Sequence, residues 1–363
     1  MSLLRKKKEK KYGVILLSVG DIILGDHPYF LGIGVSSIIE RKKIFIFEKI
    51  VDILSQGDIV FGNLETVLSD YGKKNSYESL MLRGNPYFVN QLKNSNFKVI
   101  NIANNHIQQH GESHFYNTID ILKQNKIKIT GIDNLQPQII ESKGIKLGFF
   151  GYSLRPEENT SKVLYSQGNK KKIISDINRL KKKADYIIIS LYWGCEYINL
   201  PSISQISFAH DIIDAGADII LGHHPHVLQP VEKYKGEIIA YSLGNFVSDM
   251  CSEITKKSMI LKIIFNQNQT KKIELVPVYI NKNYQPEIST NKETKKYPYN
   301  LLQTEELLNL VKSINYKDTL KGCMRNDRYE YFRFLIRNFY KFSIPVLYNI
   351  IYNAIKRRYY NER

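Results

Sequence analysis

Short apolar runs that stop abruptly at polar or glycine-rich turns recur through the first two thirds of this sequence. They are Val14–Val19, Asp58–Gly62, Lys98–Ile102, Lys146–Gly151, Tyr186–Tyr192, Asp218–Leu221 and Ile238–Leu243. Runs of this length, bounded in this way, read as buried strands. Helical patterns lie between several of them. Ile46–Leu54 repeats apolar residues at spacings of three and four, and Asn85-Pro86 supplies an N-cap and a first-position proline for a helix to about Lys93. Further helices are expected near 112–124, 171–184 and 203–215. This alternation predicts an α/β fold with substantially parallel pairing.

After Leu243 the pattern changes. Met259–Asn266 and Lys271–Ile280 read as an antiparallel pair joined by a polar turn over 266–270. Asn281–Tyr297 is polar, proline-containing and rich in lysine, and helices are expected at Thr304–Ser313, Asp327–Lys341 and Pro345–Arg358. The domain plan is therefore a basic tail over 1–12, a main domain over 13–283, a linker over 284–300, and a basic, aromatic helical extension over 301–363.

A hydrophobic content of 43% with 24% charged residues suits a globular chain with a sizeable core. Cys195, Cys251 and Cys323 are too few and too scattered for a disulfide framework or a thiolate zinc site, which fits a reducing compartment. The net charge of +17 predicts attraction to a polyanion. A coding bias toward lysine, isoleucine and asparagine would give the same number, since the lysines are spread through most of the chain. No apolar run is long enough for an ordinary membrane-spanning helix. The basic run Arg5–Lys11 is followed by an apolar stretch too short for a signal-peptide core, so a cytoplasmic protein is expected.

The polar residues that follow the strands carry the chemistry. Asp21 follows the first; Asn63 and Glu65 follow the second; Asn104, Asn105 and His106 follow the third. "SLYWGCEY", "LGHHPH" and "YSLGNFVSD" close later ones. Each alone is a turn residue, a cap or a tight loop. Together they stand where an open α/β sheet binds ligands, beyond the carboxyl ends of its strands. Carboxylate and amide oxygens mixed with imidazole nitrogens suit one or two divalent ions such as manganese, iron or zinc. There are too many candidates for one tetrahedral structural zinc, and a bridged pair of ions matches the set better.

The ordered series "VGDIILG", "NLET", "NIANNH", "YWGCEY", "GHHPHVLQPVE" and "YSLGNFVSD" resembles the bacterial capsule-synthesis CapA family, which includes poly-γ-glutamate synthesis proteins and is related to the calcineurin-like metallophosphoesterases. The resemblance spans roughly residues 13–283. It implies a four-layer α/β/β/α sandwich with a metal centre at strand ends. It implies Asp21, Glu65, Asn105, His224 and His226 as metal ligands, with His223 outside the set, and His106 as the catalytic residue. Asn63, Asn104, Tyr192, Glu196 and Asn245 complete the expected site as substrate contacts. The chain departs from the family at two places. Tyr192 stands where members carry a histidine before Trp-Gly, and Ile22-Ile23 follows Asp21 where ordinary metallophosphoesterases have Asp-x-His. The implied function is metal-assisted hydrolysis of a phosphoester-type bond in an anionic small molecule or polymer during capsule or exopolymer biosynthesis. The alternative is a non-catalytic accessory protein of polymer assembly with a degenerate metal or anion site.

Residues 321–363 hold ten Lys/Arg against three Asp/Glu, interleaved with aromatic side chains. Such a segment fits peripheral contact with an anionic membrane, at the inner face for a cytoplasmic protein, or a helical appendage packed on the main domain. No recognised nucleic-acid motif accompanies it, which disfavours a nucleic-acid partner.

Overall fold

The computed structural model describes residues 13–74, 76–133, 136–155, 162–266, 271–289 and 299–360, with side chains to Tyr352. The basic tail over 1–12, most of the 266–270 turn and the middle of the expected linker lie outside the described residues.

Two stacked β-sheets form the centre. The first has the spatial order Pro286–Ile288, Lys271–Ile280, Lys257–Phe265, Val14–Ile22, Ile59–Leu64, Phe97–Asn101, Lys128–Thr130, with Asn245–Val247 set against the end of Val14–Ile22. The second runs Leu301–Gln303, Val231–Tyr234, Glu237–Ala240, Ile219–His223, Tyr186–Tyr192, Ile145–Ser153, Gln138–Ser142. The middle of each sheet is parallel; antiparallel pairs finish one edge of each, while Lys128–Thr130 and Leu301–Gln303 close the other edges in parallel pairs.

Period two along the strands explains the layering. Leu16, Ile59, Phe61 and Val99 of the first sheet meet Phe149, Ile188 and Leu221 of the second between the sheets. Their neighbours Leu17, Val60 and Ile100 face outward against helices Val35–Lys42, Val89–Asn94 and Glu112–Gln124. On the far side Phe150, Ile187, Ile189 and Ile220 pack on Lys170–Leu180, Ile203–Asp214 and Thr304–Lys312. Three apolar layers hold four structural ones, the α/β/β/α sandwich the sequence implied. Each fully buried Leu, Ile, Val or Phe contributes about 1.5–3 kcal/mol.

The domain boundaries differ from the expected ones. Pro286–Ile288, inside the expected linker, pairs with Val278–Ile280 as an edge strand. Leu301–Gln303 joins the second sheet beside Val231–Lys233, and Leu307 and Val311 of the following helix are buried in its outer layer. The main body therefore takes in residues to about Lys312, because these short segments satisfy sheet edges and cover apolar surface. The segment that stands apart is the helix pair Tyr316–Asn338 and Ile344–Tyr360. The first begins well before the expected Asp327, capped by the Asn315 side chain, which accepts from the Asp318 N–H. A small cluster of Phe30, Ile33, Phe342 and Ile350, flanked by Tyr331 and Phe334, seats the pair on the body. Expected helix 46–54 shrinks to Val51–Leu54 after a series of turns. No helix among the described residues is long and apolar enough to cross a membrane.

Candidate metal centre

Parallel register sets Asn245, which opens its short strand, opposite Asp21, and brings Asp21, Asn63 and Asn101 side by side at the carboxyl ends of three strands. Their side chains form a buried chain of hydrogen bonds. Asn63 Nδ2 donates to Asp21 Oδ1 at 2.8 Å, and Asn101 Nδ2 donates to Asn63 Oδ1 at 2.9 Å. Asn104 Nδ2 donates to the Leu64 carbonyl at 2.9 Å, and its Oδ1 caps the following turn by accepting from the Ile107 N–H. Register in the other sheet aligns Ser153, Tyr192 and His223. Gly222 permits the close strand crossing there, since a Cβ at that position would lie 1.9 Å from the Tyr241 carbonyl oxygen.

Asp21 ties the two sheets together. Its Oδ1 lies 3.0 Å from His223 Nδ1, and its Oδ2 accepts the His224 N–H at 3.1 Å. Burial alone would raise this carboxyl. The His223 hydrogen bond and charge, with help from His226 and Asn63, outweigh burial and hold it below its ordinary value.

Beyond this network Glu65, His224 and His226 converge, with one donor atom of each within 4.8 Å of the others. The loop bends sharply to achieve this. His224 and His226 both have left-handed backbones (φ +95° and +58°) on either side of Pro225. Such conformations cost roughly 1–3 kcal/mol each for residues other than glycine and gather at functional sites. Both ring nitrogens of His224 and Oε2 of Glu65 are buried without a protein hydrogen-bond partner. Buried polar atoms are normally satisfied, so these three atoms point to a ligand. A carboxylate and two imidazoles suit a borderline divalent ion, and three protein ligands leave a position open. Asn245 Oδ1 lies 3.0 Å from His226 Nδ1 while its Nδ2 donates to the Thr255 carbonyl, fixing the ring.

Tyr192, where the resemblance implies a histidine, binds through its hydroxyl. Its hydroxyl lies 2.5 Å from Glu65 Oε1 and 2.9 Å from Asn105 Oδ1, so one proton faces two acceptors. Burial and the neighbouring Glu65 push the phenol far above its ordinary value, which keeps it a neutral donor. The Glu65 carboxyl is itself pushed up to about 8, chiefly by burial. Burial would lower the His226 imidazole, but Glu65, Asp21 and Glu196 outweigh it and leave it raised. His224 is held well below the ordinary value by burial and by His226. His106 Nδ1 lies 2.9 Å from Gln109 Oε1, which turns Nε2 toward Glu65 Oε1 at 3.7 Å.

A cavity of about 1070 Å³ opens against the group. Glu65, Asn105, His106, Glu196 and His226 line it, as expected of site residues. Asn63, Asn104, Tyr192 and Asn245 do not. They are fully buried beneath it, their polar atoms engaged by neighbours, and they support the residues that line it. Asp21 stands outside the convergent group among the described residues, with both carboxylate oxygens used to hold the loop. The sequence reading did not find Gln109, Asn101 or Tyr197. It also missed the opposite wall, which Met324, Asp327, Arg328 and Tyr331 of helix Tyr316–Asn338 supply. Glu78, Glu112, Glu196 and Asp327 line the cavity too, so the chain's positive charge is not concentrated there.

The site and sandwich define a two-sheet α/β protein with a buried carboxylate–imidazole ligand set. Residues 15–250 match the family described as bacterial capsule synthesis protein PGA_cap, and the chain belongs to that family. It is 33% identical over 291 residues to the PGA biosynthesis protein CapA of Bacillus subtilis (strain 168), covering 75% of this chain and 74% of that one. Against the capsule biosynthesis protein CapA of Bacillus anthracis it is 30% identical over 346 residues, 89% of this chain and 79% of the relative. Among solved structures, a 5'-nucleotidase from Candida albicans SC5314 aligns at a TM-score of 0.43 and 13% identity, over 88% of this chain and 58% of its own. The metal-site reading rests on the side chains above and not on that remote likeness.

Proposed function

We propose that this CapA-like chain is a single-metal hydrolase that cleaves a phosphoester-type bond in capsule or exopolymer metabolism. The observation that carries this reading is the convergence of Glu65, His224 and His226, with the unpartnered buried atoms of Glu65 and His224, at the edge of a substrate-sized cavity. These three residues would hold one ion of manganese, iron or zinc. When bound, such an ion polarises an ester oxygen and lowers the pKa of water.

The chain's own residues do the rest. Asp21 and Asn245 fix the strained histidine loop before substrate arrives. Tyr192 occupies Glu65 Oε1 and Asn105 Oδ1 and so leaves Glu65 Oε2 for the ion, which favours one metal over a bridged pair. His106, oriented by Gln109 and reached from the cavity, is placed to give a proton to the leaving oxygen. With acidic residues lining the cavity, the ion is the attraction for an anionic phosphoester, small or polymeric.

The same tyrosine favours a second reading. A phenol in place of a histidine would leave a site that binds metal or an anion without turnover, as in an accessory protein of polymer assembly. Metal analysis of chelator-free protein, paired with turnover of aryl phosphate and phosphodiester substrates, separates the two. One ion per chain and manganese-, iron- or zinc-dependent turnover lost in His106→Ala is expected. A metal-bound but inactive protein selects the accessory reading, and a protein that takes up no metal overturns the hydrolase.

A further inference from the structure

The two faces of helix Tyr316–Asn338 have different surroundings. Met324, Asp327 and Tyr331 face the body and the cavity, and Tyr331 packs on Tyr29 with ring centroids 4.1 Å apart. Phe334 packs on Phe30 at 4.7 Å. The opposite face carries Tyr329, Phe332 and Ile336, and Tyr340 follows in the 3-10 turn Phe339–Lys341, spaced three and four apart and each more than half exposed. The next helix continues the stripe with Ile344, Tyr348 and Ile351, Ile344 being 83% exposed. Elsewhere on the described surface large exposed apolar side chains are scattered singly, which is ordinary. Exposed rings and aliphatic side chains recurring at helical spacing on two successive helices mark an interaction surface.

Its charge says what covers it. Residues 316–352 hold seven Lys/Arg against three Asp/Glu. On a helical projection Arg325, Arg333 and Arg337 fall within or beside the stripe, Arg333 paired there with Glu330, whereas Asp327 lies on the cavity side. Aromatic and aliphatic side chains bordered by arginines, on helices lying along the surface, match the interface of an anionic bilayer: rings enter the headgroup region and guanidinium groups meet lipid phosphates.

We propose that the helix pair Tyr316–Tyr352 docks on anionic membrane through the Tyr329–Phe332–Ile336–Tyr340 stripe, so that the helix forming one wall of the cavity lies at the bilayer surface. This does not depend on the site being catalytic. It requires only that the stripe meet lipid.

The test uses the full chain and vesicles of phosphatidylglycerol mixed with phosphatidylcholine, against phosphatidylcholine alone. Binding to the anionic vesicles is expected to be stronger by at least about tenfold and to fall as salt rises. Phe332→Ser with Ile336→Ser, and separately Arg325→Glu with Arg337→Glu, should each weaken it about tenfold, while Tyr87→Ser on a distant surface should not. The sole tryptophan, Trp193, is buried, so Phe332→Trp adds an exposed reporter whose emission should shift to the blue on binding. Failure of the intact chain to bind anionic vesicles overturns the proposal, as does binding that both double variants retain. Sedimentation in lipid-free buffer covers the other occupant. Self-association abolished by Phe332→Ser with Ile336→Ser, without vesicle binding, would assign the stripe to a second copy of the chain and overturn the proposal.

Discussion

The strand-end site and the C-terminal helix pair share one cavity but are built on opposite terms. At the site the supporting side chains are fixed by buried hydrogen bonds, and Asp21 joins the two sheets by engaging three residues. The helix pair is held by a cluster with four buried side chains and leaves its aromatic residues exposed. Precise placement of a few donor atoms needs a scaffold that cannot shift, whereas a wall or docking surface needs only a seat. The site should therefore open only with global unfolding, and the helices should open locally.

Removing a donor from the convergent group gives the largest expected effect. His224→Ala should weaken divalent-metal binding by more than about 100-fold, read by calorimetry on chelated protein, with the far-ultraviolet spectrum unchanged. If metal still binds at full strength, the unpartnered nitrogens of His224 have another purpose and the contrast between regions loses its chemical half.

A smaller effect is expected where the first sheet meets the docking seat. Asp249 is buried against Asp26, and burial foremost, then the Asp26 charge, pushes its carboxyl up to about 8 from 3.8. The unfolded chain gives up this proton near its ordinary value while the folded chain keeps it, so this group's contribution to stability is full in acid. It falls as pH rises between those two values and is flat above about 8. Asp249→Asn should flatten the dependence by on the order of a few kcal/mol, measured by denaturant unfolding at pH values inside and below that window. An unchanged profile would mean that the carboxylate is hydrated in solution.

Next in size is Tyr192→Phe, which deletes one hydroxyl between Glu65 and Asn105 and should cost about 1–3 kcal/mol of stability. Tyr192→His should hold or raise metal affinity by adding an imidazole beside Glu65. A loss of affinity would show that the phenol positions Glu65 and does not merely fill a gap.

What the sequence made legible follows from these differences. Asp21, Glu65, His106 and His224 stand at or within a few residues of the ends of apolar runs, and the end of a buried strand fixes where the following side chains lie. The two-layer inside–outside alternation was hidden because strands buried on both faces are continuously apolar. Pro286–Ile288 and Leu301–Gln303 were read as linker and extension, since three-residue edge strands are defined by their partners and carry no periodicity of their own. The sequence places Asn63 and Asn104 at a strand end but does not show their burial, which depends on how neighbouring strands and loops close over them. The Met324–Tyr331 wall was invisible, because its place depends on rings of Tyr29 and Phe30 some three hundred positions earlier in the sequence.

The smallest global effect is expected from loosening that seat. Phe334→Ala removes one ring from a partly buried cluster, so the melting temperature of the sandwich should hardly move. Amide exchange within Tyr316–Asn338 should quicken markedly, because few apolar contacts oppose its local opening. Metal affinity should stay as in the unmodified chain, since no residue of this helix belongs to the convergent group. A fall in global stability equal to a core substitution, about 3–5 kcal/mol for a large-to-small change, would instead make the helix pair part of the same cooperative unit as the sandwich. Docking and catalysis would then be one rigid device, and the flexibility assigned to the outer wall would have no physical basis.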